Sequence, residues 1–266
     1  LEERHSPWVA KKARACLQSA LTDAVYWQLI LRNPCDTVRN VRLPDQAGNI
    51  WEPHECEAFL EIAQGSRYYL AYYLTLNLGL RIGELRGLQW RDFSLIGGVM
   101  YLRVQRQNTS DASTPVFAPT KGKKERVLDV TEDVIQLLQQ HKLEQDARRA
   151  KLAEQWRDYD LLVTTSHGTP VSTSRLRKSF YNLAERARLP FLKFHELRHS
   201  AGSIWLARGM TLEQVSFRLG HSRVKVTESV YLHQLKKAPQ PFGMSMDKML
   251  KGEAKGETAK KSPQAA

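Results

Sequence analysis

The stretch "FHELRHSAGSIW", residues 194–205, carries two readings that exclude one another. His195-Glu196-Leu197-Arg198-His199 satisfies H-E-x-x-H, in which two histidines one helical turn apart hold zinc and the glutamate serves as general base. A catalytic zinc needs a third protein ligand. The extended pattern H-E-x-x-H-x-x-G-x-x-H is matched through Gly202, but its last ligand position holds Trp205, which cannot bind zinc. Glu213 and Glu228 lie beyond Gly209, off the rigid helix, and Arg198 would set a permanent cation beside a dication. No metal is therefore expected. In the second reading, His195 and Arg198 stand at i and i+3, two donors on one helix face. Such a pair suits a phosphate: arginine grips two oxygens with its planar fork, and histidine donates a hydrogen bond or moves a proton near neutral pH.

The overall charge agrees with an anionic partner. The 266 residues hold 40 Lys and Arg against 28 Asp and Glu, a formal +12. Residues 173–208 concentrate the excess, with Arg175, Arg177, Lys178, Arg186, Arg188, Lys193, Arg198 and Arg208 against only Glu185 and Glu196. Clustered charge of this kind favours a polyanion such as nucleic acid. Cys16, Cys35 and Cys56 are odd in number and widely spaced, fitting neither a metal knuckle nor a paired disulfide framework, so a reducing cytoplasm is expected. The longest apolar run, residues 68–80, is shorter than the roughly 20 residues of a bilayer span, and no signal peptide or membrane anchor is visible. The chain begins at Leu1 rather than Met, and a missing N-terminal portion is expected.

The periodicities predict a mainly α chain with a small antiparallel β-sheet. Ser6-Pro7 opens a long amphipathic helix that runs to Asn33-Pro34, and a linker follows at residues 40–50. A lone helix cannot bury its own apolar face, so this region reads as the remnant of a helical domain. Further helices are expected at 53–64, 67–79, 82–88, 131–157, 173–187, 195–208, 211–219 and 225–235, with strands at 99–104 and 126–130 joined by a long polar connection. The stretch "KGEAKGETAKKSPQAA" (251–266) is polar and of low complexity, and disorder is expected there.

Two other blocks give the phosphate reading its weight: "LGLRIGELRGL" (78–88) and "LGHSRVKVTESVYLH" (219–233). Together with HELRH they resemble the tyrosine recombinase, or phage integrase, family over most of residues 50–235. Residues 6–45 resemble, weakly, the end of that family's helical core-binding domain. The resemblance implies a partial DNA-clamp domain at 1–45, a catalytic domain at 50–240, and a tail at 241–266 that is disordered or docks on a neighbouring protomer. It implies Arg81, Lys121, His195, Arg198, His221 and Tyr231 as the catalytic set, with Glu84 as an acidic support for Arg81. Lys121, in "APTKGKKERVLDV" (118–130), competes with Lys123 and Lys124 for the lysine role.

The chemistry so implied is site-specific recombination or integration of double-stranded DNA without metal, ATP or other cofactor. Arg81, Arg198 and His221 would stabilise the charge of the transition state, and Tyr231 would attack the phosphorus. His195 would help deprotonate the phenol and Lys121 would protonate the leaving 5′-oxygen. The resemblance further implies a homotetramer on paired DNA sites, a cytoplasmic, nucleoid-associated location and no membrane. The rivals are a type IB topoisomerase-like enzyme, a DNA-binding protein without catalysis and, more remotely, the zinc protease. The blocks HELRH and LGHS look more like recombinases than topoisomerases, and binding alone needs no tyrosine at 231.

Overall fold

The structure is a computed structural model, and it describes residues 6–41, 49–122 and 125–221 together with Val224 and Thr227. The chain divides into two compact units, Leu1–Ala47 and Gly48–Ala266. Residues 42–48 of the expected linker, the tail from residue 241 and all of the helix expected at 225–235 but Thr227 lie outside the described residues.

In the first unit α1 spans Pro7–Tyr26, with proline at its first turn where a missing N–H costs nothing. It stops short of the predicted end at Asn33. Gln28 takes φ +60° and turns the chain back, so that a short 3-10 turn at Pro34–Thr37 lies against the helix. Arg14 Nη2 donates to the carbonyls of Cys35 (3.2 Å) and Val38 (3.0 Å), and Asn33 Nδ2 to Gln18 O and Thr22 Oγ1 (both 3.0 Å). Of the α1 residues only Ala10 is buried, while Trp8, Val9 and Leu17 are exposed.

The second unit is mainly α with small antiparallel sheets, as expected. Its helices are α2 (Pro53–Ala63), α3 (Tyr69–Leu78), α4 (Ile82–Arg86), α5 (Glu132–Leu152), α6 (Thr173–Arg186), α7 (Phe194–Ala207) and α8 (Leu212–Leu219). β1 (Phe93–Ile96), β2 (Val99–Val104) and β5 (Arg126–Asp129) form one antiparallel sheet in the order β1-β2-β5. β3 (Arg106–Asn108) and β4 (Phe117–Pro119) form a second, two-stranded one inside the long polar connection. The pairing of Leu102 with Leu128 points both side chains into the core, with Val104 beside them. α5 ends five residues before its expected limit: Ala153 takes φ +44° and a 3-10 turn follows at Ala153–Gln155.

Apolar periodicity in α2, α3, α6 and α7 converges on one aromatic core. Phe180 on α6 lies 5.5 Å from the ring of Trp51, 5.0 Å from Phe59, 5.9 Å from Tyr72 and 5.3 Å from Phe194, and each of these residues is buried. Trp51 closes the end of the cluster by donating Nε1–H to Pro190 O at 2.9 Å. This cluster fixes α7 against α3, which is what gives HELRH a rigid backing. Phe180→Ala should destabilise the unit by about 3–5 kcal/mol. Urea denaturation would check this.

Candidate active site

Arg198 is the deepest charged group of the site. It lies on α7 with Phe194, Leu197 and Ala201, on the face that packs into the core, and is only 1% exposed. Its guanidinium donates from Nη1 to Gly79 O and from Nη2 to Leu219 O, the closing carbonyls of α3 and α8. Both helices end on a left-handed glycine, Gly79 (φ +60°) and Gly220 (φ +60°). A Cβ at Gly79 would meet Leu219 Cδ2 at 2.7 Å and Trp205 Cη2 at 2.9 Å, so the two helix ends approach this closely only because residue 79 is glycine.

Arg81 enters from the N-terminus of α4. Glu84, one turn later, accepts from the Arg81 backbone N–H (2.9 Å) and from Nη1 (2.8 Å), while Nη2 donates to Gly220 O (2.8 Å). Glu84 is also held by Arg126 of β5, whose Nη1 and Nη2 reach its two oxygens at 3.1 and 2.7 Å. Burial pushes the Glu84 carboxyl up, but the hydrogen bonds and charge of Arg126, followed by those of Arg81, outweigh it and bring it down to about 2. Glu84 is therefore an anion within a cationic cluster.

His221 follows directly on the α8 cap. Gly220 N–H donates to Phe217 O (2.9 Å) and His221 N–H to Ser216 O (3.0 Å), the paired bonds of a Schellman cap, which fix where the imidazole starts. Its Nδ1 lies 2.8 Å from Oγ1 of the fully buried Thr227. His195 and His199 pack edge to face with ring centroids 5.0 Å apart. Burial is the first cause lowering all three histidines, and Arg198 adds to it in each case. His221 falls to about 3, and His195 and His199 to about 4. His195 is exposed, so solvent screens more of its shift than that of the half-buried His199 and His221.

Arg81, Glu84, His195, Arg198 and His221 are thus brought together. Lys121 stands apart in the turn between β4 and β5, exposed, and among the described residues no hydrogen bond or ion pair ties it to the cluster. Lys123, Lys124 and Tyr231 lie outside the described residues. Glu196 does not face a metal: its carboxylate accepts from Lys193 N–H at 2.8 Å, capping its own helix, and pairs with Lys193 Nζ at 3.8 Å. Among the described residues no group of three or more His, Cys, Asp or Glu could hold a metal ion.

The sequence matches the phage integrase family over residues 50–238. The chain belongs to that family. Curated relatives of this chain include a XerC-like tyrosine recombinase of Caldanaerobacter subterraneus subsp. tengcongensis, 26% identical and covering 78% of this chain but 58% of the relative. The ICEBs1 integrase of Bacillus subtilis is 25% identical, covering 88% of this chain and 64% of the relative. The chain therefore spans less than two thirds of the length of these relatives. Among solved structures, the Tn1549 transposon integrase in complex with a circular intermediate DNA matches with a TM-score of 0.66 at 20% identity, over 89% of this chain and 81% of that one. The XerH site-specific recombinase bound to its difH substrate matches with a TM-score of 0.61 at 19% identity, over 81% and 60%. These two likenesses show the fold.

One residue of the cluster escaped the sequence reading: Arg126. Its signal was a charged residue in phase with Leu128 on a strand whose burial alternates, an inward position that demands a buried acid. Depressed histidines also make a pH prediction. A histidine that stays neutral when folded but takes a proton when unfolded contributes stability that is complete above about pH 6.5 and is lost as pH falls toward the folded value. Stability measured by urea denaturation should therefore decline from about pH 6.5 toward pH 4, and His221→Gln should flatten part of the decline.

Proposed function

We propose that this chain carries the catalytic part of a site-specific DNA recombinase or integrase, which cuts and rejoins double-stranded DNA through a 3′-phosphotyrosyl intermediate. The observation that carries the reading is the convergence of Arg81, Arg198, His195 and His221 around the α8 cap, with Tyr231 following ten residues after His221. A phosphodiester resists attack because its charge repels nucleophiles and its alkoxide is a poor leaving group. Arg81 and Arg198 would bind the non-bridging oxygens and offset the charge that builds in the pentacoordinate transition state, with His221 as a further donor.

The Tyr231 oxygen attacks phosphorus as the P–O5′ bond breaks. The phenolic proton passes to His195, whose depressed affinity leaves it neutral and able to accept at pH 7. The departing 5′-oxygen takes a proton from a lysine of the β4–β5 turn, for which Lys121 is the candidate. The phosphotyrosyl ester keeps the energy of the broken bond, so a 5′-hydroxyl of a partner strand can reseal it without ATP. Metal is not needed for charge stabilisation, because the two guanidinium groups supply it.

DNA is the partner favoured by the chain's net charge and by the groove lined by Arg175, Lys178 and Arg186. The structural relatives are themselves DNA complexes. In this reading residues 1–45 are part of a helical clamp, residues 50–240 do the chemistry on a tetramer, and the tail from 241 is disordered or docks on a neighbouring protomer. A location with the nucleoid follows from the substrate; among the described residues no helix is long and apolar enough to cross a membrane.

The test is a nicked duplex, taken from DNA flanking the gene, that loses its 5′-hydroxyl fragment after cleavage. The whole chain should form a covalent adduct in the presence of EDTA, and Tyr231→Phe should abolish it. Arg81→Ala should slow adduct formation by about 100- to 1,000-fold. An adduct that survives in Tyr231→Phe, or one that requires divalent metal, would overturn the reading.

A further inference from the structure

The Glu84–Arg126 pair is almost completely buried. Glu84 is 1% and Arg126 4% exposed, and the pair is doubly bonded, with Nη1–Oε1 at 3.1 Å and Nη2–Oε2 at 2.7 Å. A buried ion pair returns little net stability compared with a well-packed apolar pair of the same volume. Its value must lie in what it orients. Glu84 Oε1 is shared between Arg126 Nη1 and Arg81 Nη1, so the carboxylate transmits the position of one guanidinium to the other. Arg81 in turn reaches Gly220 O at 2.8 Å. The circuit closes on the far side, because a Cβ placed on Gly220 would lie 2.8 Å from Arg126 Nη1 and 3.3 Å from its Cδ. Arg126 therefore packs directly beneath the backbone from which His221 projects.

We propose that Arg126 is a positioning residue for strand transfer: by gripping both oxygens of Glu84 and packing under Gly220, it sets the Arg81 guanidinium and the Gly220–His221 turn in one geometry. The inference rests on the strand-transfer reading above and deepens it. It also gives β5 a second role, since this strand follows directly on the turn that carries Lys121 and so ties that turn to the anion site. Arg126 touches no reacting atom; it acts through Arg81 and the α8 cap. Lysine in its place would keep the charge but could not bond both oxygens in the same plane.

The experiment is a double-mutant cycle on the whole chain, using the nicked duplex with EDTA. DNA affinity is measured separately by fluorescence anisotropy, and folding by thermal melting. Arg126→Lys should slow adduct formation by about 10-fold and Arg126→Met by about 100-fold, with DNA affinity nearly unchanged. Because part of the effect of Arg126 passes through Arg81, Arg126→Met should slow the Arg81→Ala background by clearly less than the factor by which it slows the wild-type chain. Losses that multiply in the double variant would overturn the proposal. Should Arg126→Met fail to fold, the same cycle is run with Arg126→Lys. If the wild-type chain forms no adduct on any duplex, the strand-transfer reading falls, and the coupling is read from the protein by NMR. The Arg81 Nε–H resonance should shift in Arg126→Lys while the Trp51 indole resonance stays in place; an unmoved Arg81 resonance overturns the coupling whatever the DNA does.

Discussion

Arg198 is a permanent cation held in the interior by the C-terminal ends of two helices, and the geometry of the site depends on that contact. An α-helix presents roughly half a negative charge at its C-terminus. Two such ends, those of α3 and α8, offset about one positive charge, which is what a guanidinium carries. The arrangement needs both helices to stop at the same place. Gly79 and Gly220 make that possible by taking left-handed caps, and Gly79 also leaves the space into which Leu219 and Trp205 pack.

From this contact the remaining groups fall into position. Gly220 O, next to the carbonyl that Arg198 binds, receives Arg81; His221 follows on the same cap; and Glu84 balances Arg81 and Arg126 together. Burial, with the local excess of positive charge added to it, lowers the proton affinity of three neighbouring histidines. In the proposed reaction a phosphodiester between the guanidinium groups would add a counter-charge, and the same groups would favour the transition state more strongly than the bound substrate.

Much of this was legible in the sequence because the informative residues sit in short, contiguous blocks. RIGEL places Arg81 and Glu84 one turn apart, HELRH does the same for His195 and Arg198, and LGHS marks a helix end by its glycine. The longer helices of the second unit followed from apolar spacing over ten or more residues. The strands β3 and β4 did not, since three residues each are too few to show an alternation in the sequence. The end of α1 was missed because it depends on Gln28 adopting a left-handed conformation that glutamine rarely takes, so that the turn at Pro34–Thr37 can return to the helix. Arg126 was missed for a different reason: its partner Glu84 lies 42 positions away, and only folding brings them together.

The central claim is that Arg81, Arg198 and His221 form a ready-made cradle for a scissile phosphate. The most direct measurement is a crystal structure of the Tyr231→Phe chain bound to an uncleaved duplex carrying its target site. The account predicts one backbone phosphate with its non-bridging oxygens within hydrogen-bonding distance of both guanidinium groups and of the His221 ring, and residue 231 facing the phosphorus. A duplex whose phosphates all lie away from these three side chains, or one that seats a metal ion at His195 and His199, would contradict it.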